Sequence, residues 1–259
     1  PIVWLLAIAG AFIFGAAWAF IPAYLQAKRG SHVVITTIMF NFIASSLMVF
    51  LLVDVIRDMK QMGPHTVALP EEIWFPTFKE FAALFGIKIR YSPLNISFLL
   101  AIAASFFVWF LVWKTKWGYE MRAVGHNMQA AIYAGISPYK NIIIAMCISG
   151  GLAGLLGINE ILGVHHKIVA GFPAGYGFTG IAVALMGRNH PIGIFPAAFL
   201  FGILYQGGSE VTFDMPNITR YMFVAVQGVI ILFSGALENL FRPQIESFFV
   251  NRLNMKREI

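Results

Sequence analysis

Cysteine is nearly absent: Cys147 is alone, so no disulfide can form within the chain, and its apolar surroundings suit a small buried side chain better than a reactive thiol. Charge is scarce as well, at 12% of 259 residues against 59% apolar ones, which excludes a soluble globular composition and fits a polytopic membrane protein. The dipeptide Gly-Lys does not occur, so a phosphate-binding P-loop is missing, and any nucleotide energy must come from another chain. No basic stretch precedes the first apolar window as a cleavable signal peptide would require. The chain also lacks an initiating methionine, and the expectation is that it begins inside a longer parent. The net charge of +6 is spread over the ends of apolar windows rather than along one polar face, which points to membrane topology and away from nucleic acid.

What the sequence has in abundance is long uncharged runs. Seven windows are free of Lys, Arg, Asp and Glu: 1–27, 30–53, 91–113, 141–159, 168–187, 189–209 and 221–237. They hold 27, 24, 23, 19, 20, 21 and 17 residues, against about 20 needed for a helix to cross the hydrocarbon core. The expected fold is all-α, a single membrane domain over 1–259 with about seven transmembrane or partly re-entrant helices. The fifth and seventh windows are the weakest. The fifth contains five glycines and Pro173, so its helix should start only near Tyr176.

Counting charges orients the chain. With Lys28 and Arg29 inside, the inner segments carry 11 basic and 4 acidic residues and the outer ones 7 and 8. The positive-inside rule therefore places 54–90 outside and both 114–140 and the tail 238–259 in the cytoplasm. Within 54–90, Trp74, Phe78, Phe81 and Phe85 fall at helical spacing and predict a helix on the membrane surface.

Catalytic chemistry is not evident. His165 and His166 are adjacent and point apart on a helix without a third ligand, which argues against a metal site. Gly207-Gly208-Ser209-Glu210 resembles a nucleophile turn only in its glycines, and no intrahelical His or Asp pairs with it. Glu160 stands at the edge of an apolar window, where a carboxylate is either functional or solvated at headgroup level. The polar residues inside windows are uncharged, among them Thr36, Thr37, Asn41 and Asn159; they suit a pathway for an uncharged polar solute and helix packing equally well.

The inner stretch 118–136 reads as a short helix with small and aromatic faces, carried by Gly118, Arg122, Gly125, Asn127, Ala130, Ala131, Tyr133 and Gly135. It resembles the cytoplasmic loop of permease subunits in bacterial ABC importers, the group that includes branched-chain amino acid, ribose and nucleoside permeases. The run from Gly177 to Pro191, ending Arg188-Asn189-His190-Pro191, is similar to a helix and inner turn of the same group and points to its nucleoside and simple-sugar branch, served by lipoproteins of the basic-membrane-protein type. Glu160 to His165 and Thr36 to Asn41 fit that branch. The resemblance spans 30–243. In such proteins further helices precede the position of Pro1, and Met128 and Met186 replace commoner residues.

The resemblance implies a multi-pass permease of the bacterial inner membrane that is not itself an enzyme. It implies that the inner loop is a coupling helix docking on a separate ABC ATPase subunit, which holds the ATP and Mg; this chain binds no cofactor. It further implies a second permease subunit, an extracytoplasmic solute-binding lipoprotein and surrounding membrane lipid as partners. Arg122 and Arg188 then belong to the cytoplasmic interface or to lipid anchoring, and Asn41, Asn159 and Glu160 to the translocation pathway or its outer gate.

Overall fold

A computed structural model describes residues 2–57, 63–79, 94–172, 175–215 and 222–233. Helix α1 spans Ile2–Arg29 and α2 spans Val33–Phe50, continued by a π-helical turn Leu51–Val55. After a 3-10 turn, Glu71–Ile73, come α3 (Ser97–Lys114), α4 (Lys116–His126) and α5 (Met128–Tyr133). Helix α6, Pro138–Ile158, runs on through a second π-helical turn, Asn159–His165. The described part closes with α7 (Tyr176–Met186), α8 (Pro191–Asp214) and the apolar helix α9, Met222–Phe233.

Among the described residues five helices are long and apolar enough to cross a membrane: 2–29, 33–55, 97–114, 138–165 and 191–213. The fifth window yields only the 11 residues of α7, a rise of about 16 Å, near half the hydrocarbon thickness. It starts at Tyr176 because Gly175 adopts a left-handed conformation (φ 80°) that breaks the chain just before it. The seventh window yields α9, also short. The expectation of an all-α polytopic membrane protein holds, with five full-length spans and two shorter apolar helices among the described residues.

The chain divides into two units, 1–174 and 175–259. In the first, α1 packs antiparallel on α6 along a seam of small residues. A Cβ on Gly15 would stand 2.3 Å from Gly150 O, and one on Gly154 would stand 2.2 Å from Ala11 O. Such backbone contact is how helices associate where lipid offers no hydrophobic drive. At one end of this seam Phe75, Ile158 and Leu162 form a buried cluster with Trp4, Ala11 and Ile161 against it.

In the second unit Val183, Ala197 and Phe201 form the core between α7 and α8. The two helices are joined by a tight turn in which Arg188 and Asn189 both have φ 54°. His190 Nδ1 then accepts from Ile192 N (3.3 Å) and caps α8. An αL arginine is uncommon. The turn needs it because Gly187 and Gly193 approach so closely that a Cβ on Gly193 would meet Gly187 O at 2.4 Å.

One expectation is corrected. Trp74 and Phe78 do not share a surface helix: Trp74 has extended backbone (ψ 147°), and Pro76 lies between them. Phe81 and Phe85 fall outside the described residues.

Candidate functional site

Because α1 and α6 are antiparallel and α1–α2 is a hairpin, the first unit has two chemically distinct ends. The end carrying the 28–32, 114–126 and 137–140 segments has six described Lys and Arg residues and one Glu. The opposite end has three basic and four acidic described residues. By the positive-inside rule the basic end is the one expected to face inward.

At the basic end the chain forms an elbow of two short helices rather than one. Thr115 accepts from Gly118 N through its hydroxyl (3.1 Å) and starts α4, while its own hydroxyl donates to Leu111 O (2.6 Å). Only glycine fits at 118, where a Cβ would be 2.1 Å from Leu111 O. Asn127 ends α4 with extended backbone, and its Oδ1 accepts from Ala130 N (3.1 Å), capping α5. Gly135, at φ 78°, then turns the chain back toward α6.

A buried amide ties the elbow to α6. Asn141, buried at the start of α6, donates to Glu120 Oε2 (3.4 Å) on α4 and to Ser137 O (3.1 Å), and Glu120 also faces Lys116 at 4.0 Å. From Gly125 to Gly135 every residue is exposed except Ala131, which is 3% exposed. Tyr133 is 92% exposed, with Ile132 and Met128 beside it about half exposed. Of the residues expected at this site, Gly118 and Ala131 are therefore buried scaffold. Arg122, Gly125, Asn127, Ala130, Tyr133 and Gly135 are outward facing.

At the opposite end a polar cluster lies inside the unit. Asn159 and Glu160 occupy the π-helical turn, where one extra residue per turn rotates the following side chains. Asn95 donates to Asn159 Oδ1 (3.3 Å), and the Ser97 hydroxyl sits between Asn95 Oδ1 and Asn159 Oδ1. Asn159 donates to Glu160 Oε1 (3.1 Å), and His165 Nε2 lies 3.6 Å from Glu160 Oε2. Glu160 is only 8% exposed, so it is not solvated at headgroup level; its carboxylate is held by an amide and an imidazole near the N-terminus of α3.

A cap closes over this cluster. Phe75 N donates to Leu162 O (3.0 Å), Leu69 N to His166 O (2.8 Å) and Trp4 Nε1 to Ile73 O (3.0 Å). Trp74 stacks on His166 with ring centres 3.8 Å apart. His165 and His166 do point apart, one to Glu160 and the other to Trp74. Asn95 and Ser97 escaped the sequence reading because their partners lie 62 to 64 residues away. Asn41, on α2, is exposed in this chain, whereas Thr36 and Thr37 spend their hydroxyls on carbonyls one turn back.

Long apolar helices, a glycine seam and an exposed elbow at the basic end of the first unit describe a polytopic helical membrane protein. The chain belongs to the branched-chain amino acid transport system / permease component family, whose sequence profile matches residues 1–235. It is similar to the guanosine ABC transporter permease protein NupP of Bacillus subtilis, 35% identical over 229 residues, covering 88% of this chain and 63% of that one. It is also similar to the glucose ABC transporter permease protein TsgB13 of Haloferax volcanii (32% identical; 94% of this chain, 64% of that one). A third relative is the nucleoside ABC transporter permease protein NupB of Lactococcus lactis (36%; 83% and 59%). The chain thus spans about three fifths of the length of these curated relatives. No solved structure matches it.

Proposed function

We infer that this chain is the membrane subunit of an ATP-driven importer in the bacterial inner membrane and that it moves a nucleoside, with a simple sugar as second choice. The observation that carries this reading is the elbow: ten exposed residues around one buried alanine, on the basic end of the first unit, anchored to α6 through Asn141 and Glu120. The names of the relatives support the solute class, since guanosine and nucleoside permeases stand among them alongside glucose permeases.

In this reading a separate ATPase subunit binds ATP and Mg and grips the elbow. Closure of the ATPases displaces α4 and α5, and the Asn141–Glu120 contact passes the displacement to α6. Because α6 and α1 touch backbone to backbone, they move as one body. The opposite end of that body carries the Asn159–Glu160 cluster and its cap, so nucleotide binding would bias the outer closure through a rigid rod between two states. A second permease subunit completes the pathway, and a binding lipoprotein delivers the solute.

Co-purification tests the reading. An ATP-binding subunit should be retained by the wild-type chain and lost on Tyr133→Asp, and vesicles holding the assembly should accumulate labelled guanosine on ATP addition. Uptake by the single polypeptide under an ion gradient, with no ATPase present, would instead make it a secondary carrier.

A further inference from the structure

The π-helical turn Asn159–His165 assembles a charge pair that a regular helix would not. On an α-helix, residues five apart point about 140° away from each other, whereas a π-helix closes its hydrogen bonds from i to i+5 and brings two such side chains onto one face. Here the two are Glu160 and His165, with Nε2 3.6 Å from Oε2. Their exposure is opposite: the carboxylate is buried, while the imidazole reaches solvent and can exchange its proton there. The other carboxylate oxygen accepts from Asn159 at 3.1 Å.

No second cation stands by among the described residues. Helix α1 has no charged residue before Lys28, the start of α3 contributes Asn95 and Ser97, and the cap carries His65, Glu71 and Glu72. None of these three, nor Lys167 beyond the turn, pairs with Glu160 or His165 among the described residues, and His166 is turned away onto Trp74. A desolvated carboxylate is costly unless it is paired or hydrogen-bonded. The charge on His165 therefore decides how well Glu160 is accommodated.

The same turn carries the cap. Leu162 O and His166 O, on either side of His165, accept from Phe75 N and Leu69 N, and Ile168 O accepts from Thr66 N at 3.1 Å. His166 closes the turn in the left-handed conformation, at φ 55°, and so sets the direction in which its carbonyl leaves it. The π register thus aims the carbonyls on which the cap hangs.

We propose that Glu160 and His165 form a proton-sensitive latch for the cap at the acidic end of the first unit. With His165 protonated the pair attracts, the π turn is held and the cap stays closed. Loss of that proton leaves Glu160 buried with one amide donor, so the turn relaxes toward the α register and the cap loosens. An imidazole suits this task because it is the side chain whose charge changes across physiological pH. Acid tightens the cap and alkali loosens it. The latch depends on the turn and the cap and not on the proposed solute or ATPase.

Hydrogen exchange in the full chain in detergent, corrected for intrinsic rates, reads the latch at Leu69 and Phe75 at about pH 5.5 and about pH 8. Protection there, relative to the middle of α6 around Gly151, should fall at least about threefold at the higher pH. His165→Lys keeps its charge at both and should stay protected at both, whereas His165→Gln should be loose at both. Glu160→Gln should remove the response while still accepting from Asn159, and His65→Gln should respond as wild type does. Equal protection of the wild-type chain at the two pH values would overturn the latch. So would a response that survives in His165→Gln or Glu160→Gln, or one that vanishes in His65→Gln. Should His165→Lys fold poorly, the profiles of His165→Gln and Glu160→Gln decide.

Discussion

Asn95 reaches Asn159 only because residue 163 has no side chain: a Cβ on Gly163 would lie 2.2 Å from Asn95 Nδ2. Two segments that are distant in sequence are thereby joined through amides at the acidic end of the first unit. Gly163→Ala should push Asn95 off Asn159 and cost roughly 1–3 kcal/mol, the range for overpacking a filled site. Thermal unfolding in detergent measures this. Combining it with Asn95→Ala should restore much of the loss, since the clashing amide is gone; strictly additive losses would mean that the two residues do not meet.

The glycine seam makes a sharper comparison. A Cβ on Gly150 would meet the Ala19 Cβ at 2.3 Å and Gly15 O at 2.6 Å, while one on Gly157, seven residues along the same helix, meets nothing within 4 Å. Gly150→Ala should therefore separate α1 from α6 and lower the stability read by thermal unfolding, by about 1–3 kcal/mol or more. Gly157→Ala should be neutral or raise it, by up to about 1 kcal/mol, because alanine holds a helix better than glycine. Equal effects at the two positions would count against the described seam.

At the elbow, Asn127 separates two helices by capping the second through its side chain. Asn127→Ala should cost about 1 kcal/mol, and Asn127→Asp should keep most of the cap. Because α5 has only six residues, the loss should stay local. Hydrogen exchange at Ala130 to Tyr133 should quicken in Asn127→Ala while protection in α6 stays unchanged, and loss of protection in α6 as well would show that the elbow and α6 open together.

The spans were legible because a membrane helix must be long, apolar and uncharged, and windows such as 1–27 and 91–113 satisfy that with no knowledge of neighbours. The late start of the fifth helix was legible too, since Gly175 and Pro173 announce a break before Tyr176. Aromatic spacing misled at Trp74: its ring answers to His166, ninety-two residues away in sequence, and the extended backbone around Pro76 overrides the periodicity. Ala131 could not be told from Ala130 by type. Only the packing of α5 buries one and exposes the other. Likewise Asn159 and Glu160 could be flagged as polar residues in an apolar setting, but their partners Asn95 and Ser97 follow from how α3 meets α6, which no local pattern encodes.

Asn41 differs from that pair because it is exposed among the described residues. Asn41→Leu should leave the thermal stability of the isolated chain within about 0.5 kcal/mol, as an exposed substitution does. If Asn41 lines the pathway, uptake should fall while ATPase retention is kept. Unchanged uptake with altered association of permease subunits would place Asn41 in their interface instead.

The last prediction separates scaffold from contact at the basic end of the first unit. An arginine at 131 would seem a natural way to disturb docking, but Ala131 is 3% exposed and sits beneath the elbow. Ala131→Arg must force a long charged side chain into a space sized for a methyl group, so it should lower the melting temperature as well as uptake, and a loss of uptake there would say nothing about docking. Tyr133, 92% exposed at the tip, gives the clean experiment. Its ring is almost fully exposed among the described residues, so Tyr133→Asp should leave the melting temperature unchanged. If the ring is an anchor buried by a partner, removing it should weaken ATPase retention by roughly 2 kcal/mol, about thirtyfold. Tyr133→Phe should retain most of the affinity, because the ring and not the hydroxyl supplies the buried area. Undiminished ATPase retention by Tyr133→Asp would move the coupling contact off α5 and onto the exposed face of α4 around Arg122.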